Sequence, residues 1–212
     1  MKKLVLAAVA LLALPGVAEA KSWPPRDTCG SVPGATDFRR ALTTTVVNRD
    51  EAMLLALASP EILLDFGGGS GRETLRERLD DPHYNLWREL DALLLLGCAA
   101  GDGGEGPEIT LPWYWSQRFD EVDGMEGMLA TGPDVAMRAA PDGDAKLLAR
   151  LNWDAVQLAG EWEENAEYLR VSKPKGPTGY VRSDQLRSLI DYRLLAQQRD
   201  GKWQITVLVA GD

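Results

Sequence analysis

Apolar residues at Phe38, Leu42, Val46, Met53 and Leu57 recur at helical spacing, with Asn48-Arg49-Asp50 marking a bend or break in the run. Thr36 or Asp37 caps its start. Ser59-Pro60 ends it, because a residue before proline is pushed out of the α conformation. Ile62-Leu63-Leu64-Asp65-Phe66 is short, apolar and bounded by glycines, and predicts a strand. Ser70 and Glu73 form a capping-box pattern for a helix running to Leu79. After Asp81-Pro82, a further helix carries Leu86, Trp87, Leu90, Leu93 and Leu94 on one face and stops at Gly97. Gly101 to Pro107 predicts a flexible loop. Ile109 to Trp115 predicts an extended segment at a sheet edge, because Pro112 lacks a ladder donor.

The pattern then changes to short strands. Val135 to Pro141, Leu147 to Leu151, Tyr168 to Val171 and Thr178 to Arg182 are separated by turn-forming residues. Two longer strands close the chain, Tyr192 to Gln198 and Trp203 to Val209. The Asp-Gly pair in Arg199-Asp200-Gly201-Lys202 predicts a tight hairpin between them. Such a ribbon is marginal alone and needs a partner, which the Ile62 to Phe66 strand supplies.

The run from Val135-Ala136-Met137-Arg138-Ala139-Ala140-Pro141 to Thr178-Gly179-Tyr180-Val181-Arg182 resembles the bacterial SH3 (SH3b) domain. It keeps the arginine and proline of that family's opening. Tyr168 stands where tryptophan is frequent, and Lys173 to Pro177 lengthens the last hairpin loop. The resemblance implies a β-barrel that docks on cell-wall peptides or packs within a larger protein. The closing strand, Asp-Gly-Lys-Trp, strand pattern is similar to NTF2-like or cystatin-like domains, which implies an α+β body.

Together these give an α+β fold, with helices on a small antiparallel sheet and an SH3-like β-barrel inserted before the C-terminal hairpin. Residues 35–130 and 189–212 form the α+β domain, and 131–188 form the barrel. The rival is a tandem arrangement in which the hairpin belongs to the β module.

Residues 1–20 read as a signal peptide. Lys2 and Lys3 form a basic start, Leu4 to Leu14 an apolar run, and Ala18-Glu19-Ala20 a cleavage site after Ala20. The apolar run is shorter than the ~20 residues a spanning helix needs. This predicts a periplasmic or secreted protein with no membrane anchor after cleavage. Removing 20 of 212 residues leaves 192, enough for one large domain or two small ones. Cleavage removes two lysines and one glutamate, moving the formal net charge from −9 to −10. A chain this acidic offers no field for nucleic acid.

Cys29 and Cys98 both survive processing. In an oxidising compartment a disulfide between them is favoured, the other reading being two buried free thiols. Trp113-Tyr114-Trp115 is the densest aromatic patch, and strand alternation would place Trp113 and Trp115 on one face. They are candidate ligand-binding residues together with Tyr168 and Tyr180; the competing reading is core packing.

The glycine run Gly67 to Gly71 between strand and helix resembles a phosphate loop, yet it lacks both nucleotide fingerprints and reads as a tight turn. His83 is the single histidine, which excludes a histidine-rich metal site. A nucleophile pair of His83 with Cys29 or Cys98 lacks its local signatures. Asp120, Glu121, Asp123 and Glu126 are too numerous to single out an acid–base pair. Asp142-Gly143-Asp144 reads as a turn rather than a calcium loop.

The sequence therefore predicts a noncatalytic binding or scaffolding protein of the bacterial envelope, without metal or cofactor. Its expected ligand is a cell-wall peptide or an envelope protein. The alternative is a small-molecule-binding or enzymatic NTF2-like body, with Asp65 near its mouth and the barrel in a structural role.

Overall fold

The helical run from Phe38 to Leu57 forms as two helices in the computed structural model, which describes residues 21–211 except 105 and 164. The first helix, α1, is Ala35–Val47, and the second, α2, is Glu51–Leu57. Between them Arg49 takes φ 53°, and the Asp50 carboxylate accepts from the Met53 amide at 3.0 Å to cap α2. Gly34, rather than Thr36 or Asp37, stands at the N-cap of α1. The proposed signal peptide lies outside the described residues.

Strand β1 (Ala58–Leu63) follows α2 directly, starting before the predicted Ile62. It contains Pro60, which an edge strand tolerates. Helix α3 (Gly71–Asp80) begins after Ser70, but the Ser70 side chain makes no cap hydrogen bond and the capping box does not form. Glu73 pairs with Arg76 instead. Helix α4 (Leu86–Leu95) buries Leu86, Leu90 and Leu93.

The predicted loop after α4 is a hairpin of β2 (Ala99–Asp102) and β3 (Pro107–Leu111). Extended structure ends at Leu111, and Trp113–Ser116 forms a 3-10 turn after the cis Leu111–Pro112 bond. The strand alternation expected for Trp113 and Trp115 therefore does not apply.

The next strands are β4 (Gly127–Ala130), β5 (Val135–Arg138), β6 (Leu147–Leu151), β7 (Ala155–Leu158), β8 (Tyr168–Ser172), β9 (Thr178–Arg182) and β10 (Leu186–Ser188). The chain closes with β11 (Arg193–Arg199) and β12 (Lys202–Val209). Asp200 and Gly201 turn this hairpin with φ of 50° and 74°, the signs of a type I′ turn.

These elements make an α+β fold with two sheets. One has five strands in the order β1-β12-β11-β3-β2. Its β1–β12 pair is parallel, so the sheet is mixed rather than antiparallel as expected. Parallel neighbours need a long crossover, and the chain between Leu63 and Lys202 provides it. The second sheet has seven strands in the order β10-β4-β7-β8-β9-β5-β6, all of them between β3 and β11 in sequence. β4 belongs to it, although it lies before the predicted boundary at residue 131.

No pairing among the described residues joins β10 to β6, so the second sheet is open rather than a closed barrel. Its two ends explain this: β10 has only three residues, and β6 carries a register shift opposite Met137 and Arg138. Short and bulged edges resist further pairing.

Each sheet has its own core. Leu42, Leu54, Ile62, Leu90, Ile109 and Leu111 fill the space between helices and the first sheet. Met128, Met137, Leu151, Val156, Val171 and Val181 fill the second. A third cluster of Trp23, Leu96, Trp113, Tyr114, Leu129 and Leu189 sits where the two meet.

Candidate ligand cleft

The segment Lys21 to Gly30 has no helix period, yet its two ends are fixed. Near its start Ser22 forms an antiparallel bridge with Asp154, and the Trp23 amide donates to the Trp153 carbonyl at 2.8 Å. Further on, the Cys98 amide donates to the Arg26 carbonyl at 2.8 Å, and the Thr28 amide to the Cys98 carbonyl at 2.9 Å. Cys29 and Cys98 are joined as a disulfide with their Cα atoms 5.8 Å apart, which removes the free-thiol reading. Between these anchors Trp23 is pressed inward, its ring 4.4 Å from Phe119 and 6.3 Å from Trp113.

Trp23, only 6% exposed, and half-buried Phe119 line a cleft of about 630 Å³. Val122, Ala149, Ala155, Pro174 and Pro177 add apolar wall. The charged lining comes from Lys21, Asp120, Glu121, Asp154, Lys173 and Lys175. Asp154 is buried in the wall, where it accepts from the Asn152 amide and from the Lys173 ammonium, each at 2.6 Å. Lys175 reaches Glu121 at 3.0 Å in a far more exposed pair. The Lys21 ammonium lies 4.2 Å above the Trp23 ring. An apolar lining with a rim of both charges suits a ligand that combines apolar surface with charged ends.

The candidates named from sequence fall on different surfaces. Trp113 is buried and supports the cleft from behind through Trp23. Trp115 is half-buried, with the Arg193 guanidinium 4.0 Å over its ring. Tyr168 and Tyr180 are half-buried on the outer side of the β8–β9 ladder, opposite Arg182 and Arg170 respectively. The residues that sequence reasoning missed are Lys21, Trp23, Phe119, Asp154 and Lys173. The proline-flanked lysines of Lys173-Pro174-Lys175-Gly176-Pro177 were the one local signal.

The other candidate chemistry is occupied structurally. Oδ1 of Asp65 accepts from the Gly67 and Gly69 amides at 2.7 and 2.8 Å, so its own carboxylate fills the glycine loop. The Gly69 amide first, and the Arg78 guanidinium second, hold the Asp65 carboxyl below its ordinary range. A Cβ at Gly69 would lie 2.1 Å from Oδ2 of Asp65, which explains glycine there. Asp120 pairs with Arg118, and Asp123 caps the Met125 amide. Asp142 accepts from the Asp144 amide at 2.9 Å, a closed turn. Asp27, Cys29 and Cys98 are the one cluster of metal-ligating residue types found among the described residues, and the disulfide already uses both sulfurs.

Outside the cleft lining, a polar cluster ties the second sheet to α4 and to the residues that precede β11. Arg187 of β10 is buried and donates to Glu89 of α4 at 3.0 Å and to the Tyr192 carbonyl at 3.2 Å, with Asp191 also 3.2 Å away. Burial pushes the neighbouring Tyr114 phenol up to about 12, against a smaller opposing pull from Arg187.

No protein-family model matches the chain, and no curated protein does. Among solved structures, it matches a protein of unknown function with a cystatin-like fold from Nostoc punctiforme PCC 73102. The two are 11% identical, and the match covers 87% of this chain and 92% of the other. The TM-score of 0.27 is too low for the likeness to carry any inference.

Proposed function

We propose that this chain is an exported, noncatalytic binding or scaffolding protein of the bacterial envelope, with the seven-stranded sheet as an SH3b-like module. The observation that carries this reading is the cleft on Trp23 and Phe119, with its charged rim. Its acidic groups at Asp120, Glu121 and Asp154 are each engaged by a basic side chain, an arrangement suited to recognition rather than proton transfer. The disulfide fits an oxidising compartment, in keeping with the leader-like residues 1–20. The proposed ligand is a cell-wall peptide or a peptide segment of an envelope protein, whose apolar side chains would pack against Phe119 and the prolines while its charged ends meet the rim.

The rival reading places a small-molecule or enzymatic site inside the α+β body. Close packing of Leu42, Leu54, Ile62, Leu90 and Ile109 in that interior favours the cleft instead.

Cosedimentation of the purified protein with peptidoglycan tests the proposal, run beside Phe119→Ala and Lys175→Glu. Binding by the wild type and loss in both folded variants would support a wall-peptide site. Binding that survives in both would remove the cleft as its basis. Failure of the wild type to bind would transfer the reading to a protein partner, sought by cross-linking in envelope extracts.

A further inference from the structure

Sharing Phe119 with the cleft, the turn Trp113–Ser116 and the following loop border a second groove of about 390 Å³. Trp115, Phe119, Met125, Leu189 and Ile190 line it, and Arg118 brings a cation. Among the described residues no carboxylate lines this groove, although the chain as a whole carries a formal charge of −9. Met125 is 56% exposed at its rim. An aromatic and thioether lining with one cation suits an aromatic side chain accompanied by negative charge.

The same chain displays such a group. Trp162 is 60% exposed on the loop between β7 and β8, flanked by exposed Glu161 and Glu163. Its other neighbours form a recess that includes Ile190, and Ile190 also lines the groove. Ile190 thus borders both the recess that holds the indole and the groove. A two-fold contact requires this placement, because each copy must offer both members of the pair on one surface. A heterologous contact would instead join two different surfaces and build a ring or an open chain.

We infer that two copies of this chain associate about a two-fold axis near Ile190, the Trp162 indole of each copy filling the Trp115–Met125–Ile190 groove of the other. Glu161 and Glu163 then approach the partner's Arg118. Among the described residues that arginine forms an exposed pair with Asp120, which is easily exchanged. The association removes an exposed indole and an exposed thioether from water together, which gives the contact its driving force.

Sedimentation velocity over a concentration series of the purified protein tests this. The expected result is a monomer–dimer equilibrium in which Trp162→Ala raises the dissociation constant by about thirtyfold or more, the scale for truncating a central interface tryptophan. Met125→Glu, on the opposite side of the contact, should do the same. Both side chains are exposed in the monomer, and unchanged thermal melting would show that each variant folds. Mixing the two variants should recover intermediate association, because one intact indole–groove contact remains in the mixed dimer. A wild type that stays monomeric up to about 100 μM would overturn the inference. So would a dimer insensitive to either substitution, or variants that fail to complement each other.

Discussion

The Lys173 ammonium lies 2.6 Å from the Asp154 carboxylate, and their side chains are 21% and 9% exposed. The hairpin between β8 and β9 is thereby fastened to the turn between β6 and β7, across the wall of the cleft. A pair this enclosed is costly to break from one side, because the surviving charge stays buried. Lys173→Met should destabilise the fold by about 3 kcal/mol in urea unfolding. Adding Asp154→Asn should recover part of that loss, since the stranded carboxylate is gone. A double variant as unstable as the two single losses summed would mean that the residues act independently.

The segment Lys21 to Gly30 lies as a strap across the fold and depends on a close backbone approach at Gly97. Its φ is 82°, and a Cβ there would lie 2.2 Å from the Arg26 carbonyl oxygen. Gly97→Ala should push the strap away and cost about 2 kcal/mol or more, combining positive-φ strain with the clash. Reducing the Cys29–Cys98 bridge, whose sequence separation is 69, should cost about 4 kcal/mol in the chain-entropy account. Both changes loosen the segment carrying Trp23, so both should increase quenching of its fluorescence by acrylamide. Equal melting temperatures with and without reductant would contradict this role of the bridge.

Stability should also fall in alkali. The Tyr114 phenol is raised from 10.0 to about 12 by burial. Below pH 10 it is protonated both folded and unfolded, so its contribution is fully present there. Between pH 10 and 12 the unfolded chain loses this proton more readily, and up to about 2 kcal/mol of stability is lost across that window. Tyr192 is raised to about 12 as well, with burial again the main cause, so Tyr114→Phe should flatten the pH dependence only in part. Urea unfolding at pH 9 and pH 11 measures the difference, and identical slopes in wild type and Tyr114→Phe would refute the assignment.

Where local chemistry decides the backbone, the sequence is a good guide. Helix α4 is marked by Leu86, Leu90 and Leu93 on one face, and the final hairpin by Asp200-Gly201. The break between α1 and α2 is legible at Asn48-Arg49-Asp50, since Asp50 is the cap. Strand β2 was not legible, because Ala99 to Asp102 is short, contains glycine and takes its shape from β3. The cleft was harder still. Trp23 and Phe119 belong to segments without period and meet only because the strap is bonded to Trp153 and Cys98. Trp113, the more conspicuous residue, is the one those contacts bury.

Arg187 gives the sharpest test of how the two sheets are joined. It enters from β10 and meets Glu89 of α4 and Asp191, which precedes β11, so one guanidinium spans both cores. Its side chain is only 9% exposed, and its Nε has no hydrogen-bond partner among the described residues. Arg187→Met keeps most of the aliphatic stem but leaves the partly enclosed Glu89 and Asp191 carboxylates without their shared cation. The expected loss is about 3 kcal/mol, the scale for removing one partner from a buried ionic cluster. Arg187→Lys should recover some of this, because an ammonium can reach a carboxylate but cannot also serve the Tyr192 carbonyl in the fixed fork of a guanidinium. Hydrogen exchange distinguishes a joint from a core residue. Amides of α4 and β10 should lose protection in Arg187→Met, while those of β8 and β9 change little. Uniform loss across both sheets would show instead that Arg187 supports one cooperative core.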